Sequence, residues 1–220
     1  MIPELSGSLR KNQIIIPSII NEASGVRING KLIKSLLFST DVAVIRNTNA
    51  DAVIAVYPFS PQPVITEALR IAADVPLFVG VGGGTTAGPR VVNLALHAEF
   101  QGVMGVVLNA PIKNEVLARV AETIDIPIVI TVVSENEDIE ARLRHGASIL
   151  NVSAAKNTPD VVRKIRERFP DVPIFATGGP TDETIAETIA AGANAITYTP
   201  PASKDIFKGL MNKYREELNR

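Results

Sequence analysis

From residue 35 onward the chain alternates two hydrophobic textures. Short runs of β-branched and other apolar residues read as strands buried on both faces, as in a parallel sheet. Each is followed by a longer stretch with apolar residues every three or four positions, the pattern of an amphipathic helix. The predicted strands cover 35–39, 52–59, 76–82, 102–109, 127–133, 148–154, 173–179 and 194–200. The predicted helices cover 41–48, 62–73, 88–100, 112–124, 136–145, 158–168, 181–191 and 203–218. Eight consecutive βα units over residues 35–220 predict a single-domain (β/α)8 TIM barrel. A doubly wound open sheet, the competing α/β architecture, rarely needs eight strands at this length.

A weak internal repeat supports the barrel. The third, fifth and seventh strands open with Asp-x-Pro, at Asp74, Asp125 and Asp171. The fourth, sixth and eighth follow a Gly just past a helix, at Gly102, Gly146 and Gly192. Pro starts a strand without needing its N–H, and Gly supplies the left-handed turn that closes a helix. Both positions lie on the face that serves stability in such barrels, so no chemistry is assigned to them. Residues 1–34 read as a short helix and a hairpin capping the N-terminal mouth of the barrel, with Gly25, Asn29 and Gly30 around the segment VRI.

Composition narrows the function. The chain has 220 residues, 46% hydrophobic and 20% charged, enough apolar material for a full core. Its net charge of −1 gives no overall attraction to nucleic acid or anionic membrane. There is no Cys, which excludes disulfides and thiolate chemistry. The start MIPELSGSLRKNQ lacks a secretory signal pattern, and the run 14–20 is broken by Pro17 and Ser18. A cytoplasmic protein is expected.

In this fold, chemistry belongs to the C-terminal ends of the strands and the loops after them. His97 and His145 fall on predicted helices, which argues against His-driven catalysis or a zinc site. The leading signal is IFATGGP at 174–180, where Thr177, Gly178 and Gly179 end the seventh strand just before a helix. Bare backbone N–H groups near a helix N-terminus suit a phosphate, with Thr199, Ser203 and Lys204 able to contribute. Asp182 and Glu183 in the following turn oppose that positive field, and the Gly pair serves equally as a tight turn. A second Gly-rich stretch, GVGGGTTAG at 80–88, lacks both the P-loop and dinucleotide patterns.

Asn109, Thr131 and Asn151 stand at strand ends, placed to orient a carbonyl or hydroxyl, and Tyr57 offers a weak acid or a stacking face. Asp41 is a candidate general base, or equally a helix N-cap. Lys156 is a candidate for holding an anion or forming an imine, or equally a solvated charge. No cofactor and no metal is implied.

The segments LNVSAA (150–155) and FATGGPTDETIAETIAAGANAI (175–196) resemble the phosphate-binding TIM barrels. The likeness is greatest to the keto-deoxy-phosphogluconate aldolases and to the thiazole synthase and ribulose-phosphate-binding groups. The resemblance covers about a quarter of the chain. It implies phosphate held at Thr177-Gly178-Gly179 and a homo-oligomeric enzyme. In the aldolases a Schiff-base Lys projects from the sixth strand; the matching position here is Asn151, which cannot form an imine. FMN-dependent barrels share the Gly pair, but TYTPP does not match their second phosphate turn.

The expectation is a lyase- or isomerase-type enzyme for a small phosphorylated carbonyl or sugar-like compound. Two alternatives stay open: a non-catalytic ligand-binding barrel, motivated by the scarcity of acid–base groups at the mouth, and a carboxylate-assisted hydrolase.

Overall fold

The computed structural model describes residues 13–219. The N-terminal sequence MIPELSGSLRKN, part of the expected extension, lies outside the described residues. Strands β1 (Val26–Ile28) and β2 (Lys31–Ile33) form an antiparallel hairpin. Its turn is Asn29-Gly30, both at positive φ (48° and 82°), as a two-residue hairpin turn requires.

Eight parallel strands follow: β3 (Ser35–Phe38), β4 (Ala52–Ala55), β5 (Leu77–Gly82), β6 (Gly105–Leu108), β7 (Ile128–Val132), β8 (Ile149–Val152), β9 (Ile174–Thr177) and β10 (Ala195–Tyr198). They close into a barrel in chain order, β10 pairing with β3. The helices between them are α1 (Val42–Arg46), α2 (Pro63–Ala72), α3 (Pro89–Phe100), α4 (Asn114–Ala121), α5 (Ile139–Arg144), α6 (Thr158–Arg168) and α7 (Asp182–Ala190). The last helix, α8 (Ser203–Leu218), follows β10. This is the single-domain (β/α)8 TIM barrel expected from the hydrophobic pattern. Gly102, Gly146 and Gly192 all take positive φ just past α3, α5 and α7.

Strand alternation divides the core in two. Leu36, Ala52, Ile54, Phe78, Val107, Val129, Ile149, Phe175 and Ala195 fill the barrel interior together with Ile28 and Ile33 of the hairpin. The rings of Phe78 and Phe175 meet edge to face at 5.6 Å, and Gly105 leaves room for Phe78, whose ring a Cβ there would approach to 2.8 Å. Intervening residues such as Leu37, Val106, Ile130, Leu150 and Ile196 join the shell beneath the helices.

The segment ahead of the hairpin has a second role. The Ile14 N–H donates to the Asn47 carbonyl and the Ile16 N–H to Asn49 Oδ1, both just past α1. A 3-10 turn over Ser18–Glu22 then packs against α7, with Ile20 fully buried. The segment therefore spans the side of the barrel between α1 and α7, where an eighth helix would close the ring. Leu37 and Ile196, the outward residues of β3 and β10, are fully buried. No residue of α8 is buried. The pattern of α8 is helical, but it does not join the barrel wall. No helix among the described residues is long and apolar enough to cross a membrane.

Candidate functional site

The turn after β8 and the turns after β9 and β10 enclose a cavity of about 770 Å³. It brings together Lys156, Thr177, Gly178, Gly179 and Thr199 from the sequence reading. Thr158 and Thr197, which that reading did not single out, also line it. Thr197 was legible: it lies two residues after the inward-facing Ala195, so the two-residue strand period aims it into the barrel. Thr158 was not legible, because it sits on α6 and reaches the cavity only through the packing of α6 beside β9.

The inward positions above the apolar interior carry hydroxyl and amide groups. Thr131 and Asn151 are register partners on β7 and β8, as are Thr177 and Thr197 on β9 and β10. The Thr197 hydroxyl lies 3.5 Å from Asn151 Oδ1, a long contact between two buried side chains. Thr158 Oγ1 accepts the Ala154 N–H at 3.0 Å and lies 3.4 Å from Thr177 Oγ1. The rim of the barrel thus carries neutral polar groups across β7 to β10, two pairs of them in contact, suited to orienting an oxygen-rich ligand without a net charge change.

The turn that presents Lys156 is strained. Ala155, immediately before it, has φ +52°, a region that costs an L-residue energy. A 3-10 turn over Ala155–Asn157 leads into α6, and Lys156 is exposed at the cavity edge. It is the only Lys or Arg lining this cavity among the described residues.

The Gly178-Gly179 turn has structural reasons of its own. A Cβ on Gly178 would lie 2.8 Å from both Ile185 and Ile196, and Gly179 has φ +80°. The N-terminus of α7 also satisfies itself. Thr181 and Thr184 form a reciprocal capping box. Glu183 is held below the usual carboxylate range by its own backbone N–H and then by the Thr181 side chain. The amides of Gly178 and Gly179, two residues that line the cavity, donate to no acceptor among the described residues.

Other predicted residues lie elsewhere. Asp41 caps α1: its Oδ1 accepts the N–H groups of Ala43 and Val44, and its Oδ2 accepts the Ser203 hydroxyl. Both oxygens are committed, and neither Asp41 nor Ser203 lines the cavity. Tyr57 and Asn109 line a separate cavity of about 210 Å³ with Gly80, Gly82, Gly84, Thr85 and Thr86. The Tyr57 hydroxyl there accepts the Gln62 N–H. Lys204 does not line the main cavity. His97 lies on α3, and His145 ends α5 with Nδ1 2.6 Å from the Ala141 carbonyl. Among the described residues no three His, Asp or Glu side chains gather to hold a metal.

Arg142 had no sequence signal. This nearly buried guanidinium on α5 donates to the carbonyls of Ala110 and Ile112 and to Asn114 Oδ1, and pairs with Glu137 at 2.5 Å. It fixes the loop after β6, whose first residue is Asn109.

No family model matches the sequence. The 4-hydroxy-tetrahydrodipicolinate synthase of Chlorobium luteolum is 29% identical over 137 residues, covering 53% of this chain and 46% of that protein. The chain thus spans about half the length of the curated relative it matches. Among solved structures, an oxaloacetate acetylhydrolase superposes with a TM-score of 0.65 at 12% identity, covering 87% of this chain and 83% of that one. Phosphonopyruvate hydrolase, in complex with oxalate and magnesium, gives 0.62 at 13% identity, covering 90% and 83%. The dihydrodipicolinate synthase of Aquifex aeolicus gives 0.57 at 17% identity, covering 72% and 61%. These likenesses establish the fold, and the proteins are named as a synthase, an acetylhydrolase and a hydrolase. They do not single out the keto-deoxy-phosphogluconate aldolase or ribulose-phosphate groups.

Proposed function

We propose that this protein is a lyase-type enzyme acting on a small anionic carbonyl compound, a phosphorylated carbonyl or an oxo acid, bound in the cavity at the ends of β8, β9 and β10. The observation that carries the reading is the convergence there of one cation, Lys156, with the bare amides of Gly178 and Gly179 and the hydroxyls of Thr177, Thr197 and Thr199. The enzymes named above that share this fold are a synthase and two hydrolases of small carbonyl compounds by name, so the lyase reading rests on the residues of the cavity.

In this reading the Gly178 and Gly179 amides, with the Thr177 hydroxyl, hold the anionic group of the substrate. Asn151 and Thr197 orient its carbonyl oxygen from below. Breaking the Cα–Cβ bond of a β-hydroxy carbonyl compound gives an enolate on one fragment and, as the β-hydroxyl passes its proton to water, a second carbonyl compound on the other; the Lys156 ammonium stabilises the developing enolate charge. Asp41 has no part, because its cap and its Ser203 contact occupy both oxygens. The same donors suit a barrel that only binds its ligand, a reading favoured by the lack of a carboxylate pair at the cavity among the described residues.

The experiment is a panel of 2-oxo acids and phosphorylated carbonyls followed by NMR, with the wild type beside Lys156→Met. Turnover of one compound by the wild type and its loss in the variant support the reading. Anion-induced thermal stabilisation without any turnover overturns the enzymatic reading in favour of ligand binding alone.

A further inference from the structure

The glycine-rich loop after β5 builds the smaller cavity, which the lyase reading does not use. Gly82 and Gly83 hold φ of +146° and +94°, and a Cβ on Gly83 would lie 2.6 Å from the Asn109 carbonyl oxygen. Glycine there lets the loop lie directly on the backbone that follows β6. The Asn109 N–H donates to the Gly82 carbonyl, and the Gly83 N–H to the Thr86 carbonyl. Arg142 holds the far side of Asn109 through the carbonyls of Ala110 and Ile112. Asn109 is therefore fixed in place by its neighbours on both sides.

Each element brings one kind of surface to this cavity. The loop after β4 supplies the rings of Tyr57, Pro58, Phe59 and Pro61. Strand β5 supplies Gly80 and Gly82, which have no side chains. Polar groups come from Thr85, Thr86 and Asn109. No Asp, Glu, Lys, Arg or His lines it among the described residues. The backbone of Asn109 is hydrogen-bonded, but its carboxamide bonds to no described residue. The Tyr57 oxygen accepts the Gln62 N–H, which leaves its own proton to donate. Thr86 is 4% exposed, and its Oγ1 is buried without a hydrogen-bond partner among the described residues. Buried hydroxyls are nearly always paired, so an orphan one in a cavity wall marks a group for a ligand to satisfy.

These groups select the ligand. A charge placed there would lose its water without gaining a counter-charge, so the ligand is neutral. A carboxamide offers both donors and an acceptor, and another amide matches it with both. Ring-lined walls and bare glycine backbone suit a planar group. Size sets the rest. A cavity of about 150 Å³ holds benzene. At about 210 Å³ this one takes a single six-membered ring with its substituents, not a whole nucleotide.

We propose that the cavity at the ends of β4, β5 and β6 is a second binding site, for a small, planar, uncharged ring that carries an amide. Asn109 pairs with that amide, and the Thr86 hydroxyl gains its missing partner. The inference is independent of the lyase reading, because it is read by binding and shares no residue with the main cavity.

The test is ligand-observed NMR and calorimetry on the full chain with uracil, nicotinamide and nicotinate. Uracil carries its amide in the ring, nicotinamide carries it outside, and nicotinate replaces it with a carboxylate of the same shape. Titrations are run in Lys156→Met beside the wild type, so that nicotinate meets no cation in the main cavity. One of the two amides should bind with a Kd of about 1 mM or tighter, the scale for so few atoms. It should bind equally well to both proteins, and nicotinate at least about tenfold more weakly to Lys156→Met. Asn109→Leu should weaken the amide at least about tenfold and leave binding of inorganic phosphate unchanged. Thr86→Val should weaken it without lowering the melting temperature, whereas a hydroxyl that serves only the fold would leave affinity intact. Gly80→Ala, whose Cβ would stand 3.3 Å from Val56, narrows the same cavity and should weaken the amide as well. The proposal is overturned if neither amide binds, if nicotinate matches nicotinamide in Lys156→Met, or if Asn109→Leu and Gly80→Ala bind as the wild type does. Loss of the amide in Lys156→Met would place it in the main cavity and overturn the proposal too. If the amide binds as described but no substrate is turned over, the enzymatic reading fails and this one stands.

Discussion

The Ser203 hydroxyl, in the first turn of α8, donates to the Asp41 carboxylate that caps α1. A residue read as a catalytic base and one read as a phosphate ligand are thus each other's partners. They tie the root of α8 to the start of the barrel.

Removing this pair should cost stability and spare chemistry. Asp41→Ala loses an N-cap, an effect of about 0.5–2 kcal/mol. The Asp41 pKa is held below the usual carboxylate value chiefly by the Ser203 hydroxyl; burial, next in size, opposes it, and the Val44 and Ala43 N–H groups lower it further. A lowered folded pKa gives stability that is full above the unfolded value, about 3.9, and is lost as pH falls through the folded one. Thermal unfolding from pH 7 to pH 3 should therefore show a steeper acid loss in the wild type than in Asp41→Asn.

Arg142→Ala should be severely destabilising. It strands Glu137 and leaves the Ala110 and Ile112 carbonyls without their donor. Breaking a buried pair by removing one partner costs about 3–5 kcal/mol, readable by urea unfolding. Arg142→Lys should recover little, because an ammonium cannot span four acceptors as a guanidinium fork does.

Ala155→Gly separates strain from function. Gly accepts φ +52° freely, so the variant should gain about 1 kcal/mol in the folded state, offset in part by its greater unfolded-state freedom. If the strained turn aims Lys156, binding of inorganic phosphate should weaken although stability does not fall. Equal phosphate affinity in both proteins would show that the turn has no such role.

Thr197→Val tests the neutral polar rim. It keeps the shape of the side chain and removes the hydroxyl that faces Asn151. The stability change should stay within about 1.5 kcal/mol, since a neutral hydrogen bond contributes about 0.5–1.5. Turnover of any substrate found should fall at least about tenfold, equivalent to about 1.4 kcal/mol of lost transition-state stabilisation. Unchanged kcat would remove Thr197 from the site.

Gly178→Ala should destabilise by about 1–3 kcal/mol through overpacking against Ile185 and Ile196. Lys156→Met should leave unfolding nearly unchanged, because Lys156 is exposed. The contrast distinguishes packing from ligand contact within one cavity wall.

Local chemistry wrote much of this protein into its sequence. Each barrel strand is a run of apolar residues that must be covered on both faces, and each Gly after α3, α5 and α7 stops a helix where only a left-handed residue fits. Alternation from Ile149 puts Asn151 on the inside, so a neutral polar group at the rim was readable from the strand pattern alone. The cavity-forming groups of Lys156, Thr177, Gly178, Gly179 and Thr199 were readable too, because loops after parallel strands all open on one face.

Only the tertiary structure decided which of those residues meet. Asp41 and Ser203 are 162 residues apart, and their pairing depends on how the two ends of the barrel close. The buried Arg142 carries no motif, since its four acceptors come from other elements. Most of all, the pattern that makes α8 a helix does not say where its apolar face goes. The segment from Ile14 to Glu22 takes the berth between α1 and α7, and two elements cannot cover the same surface.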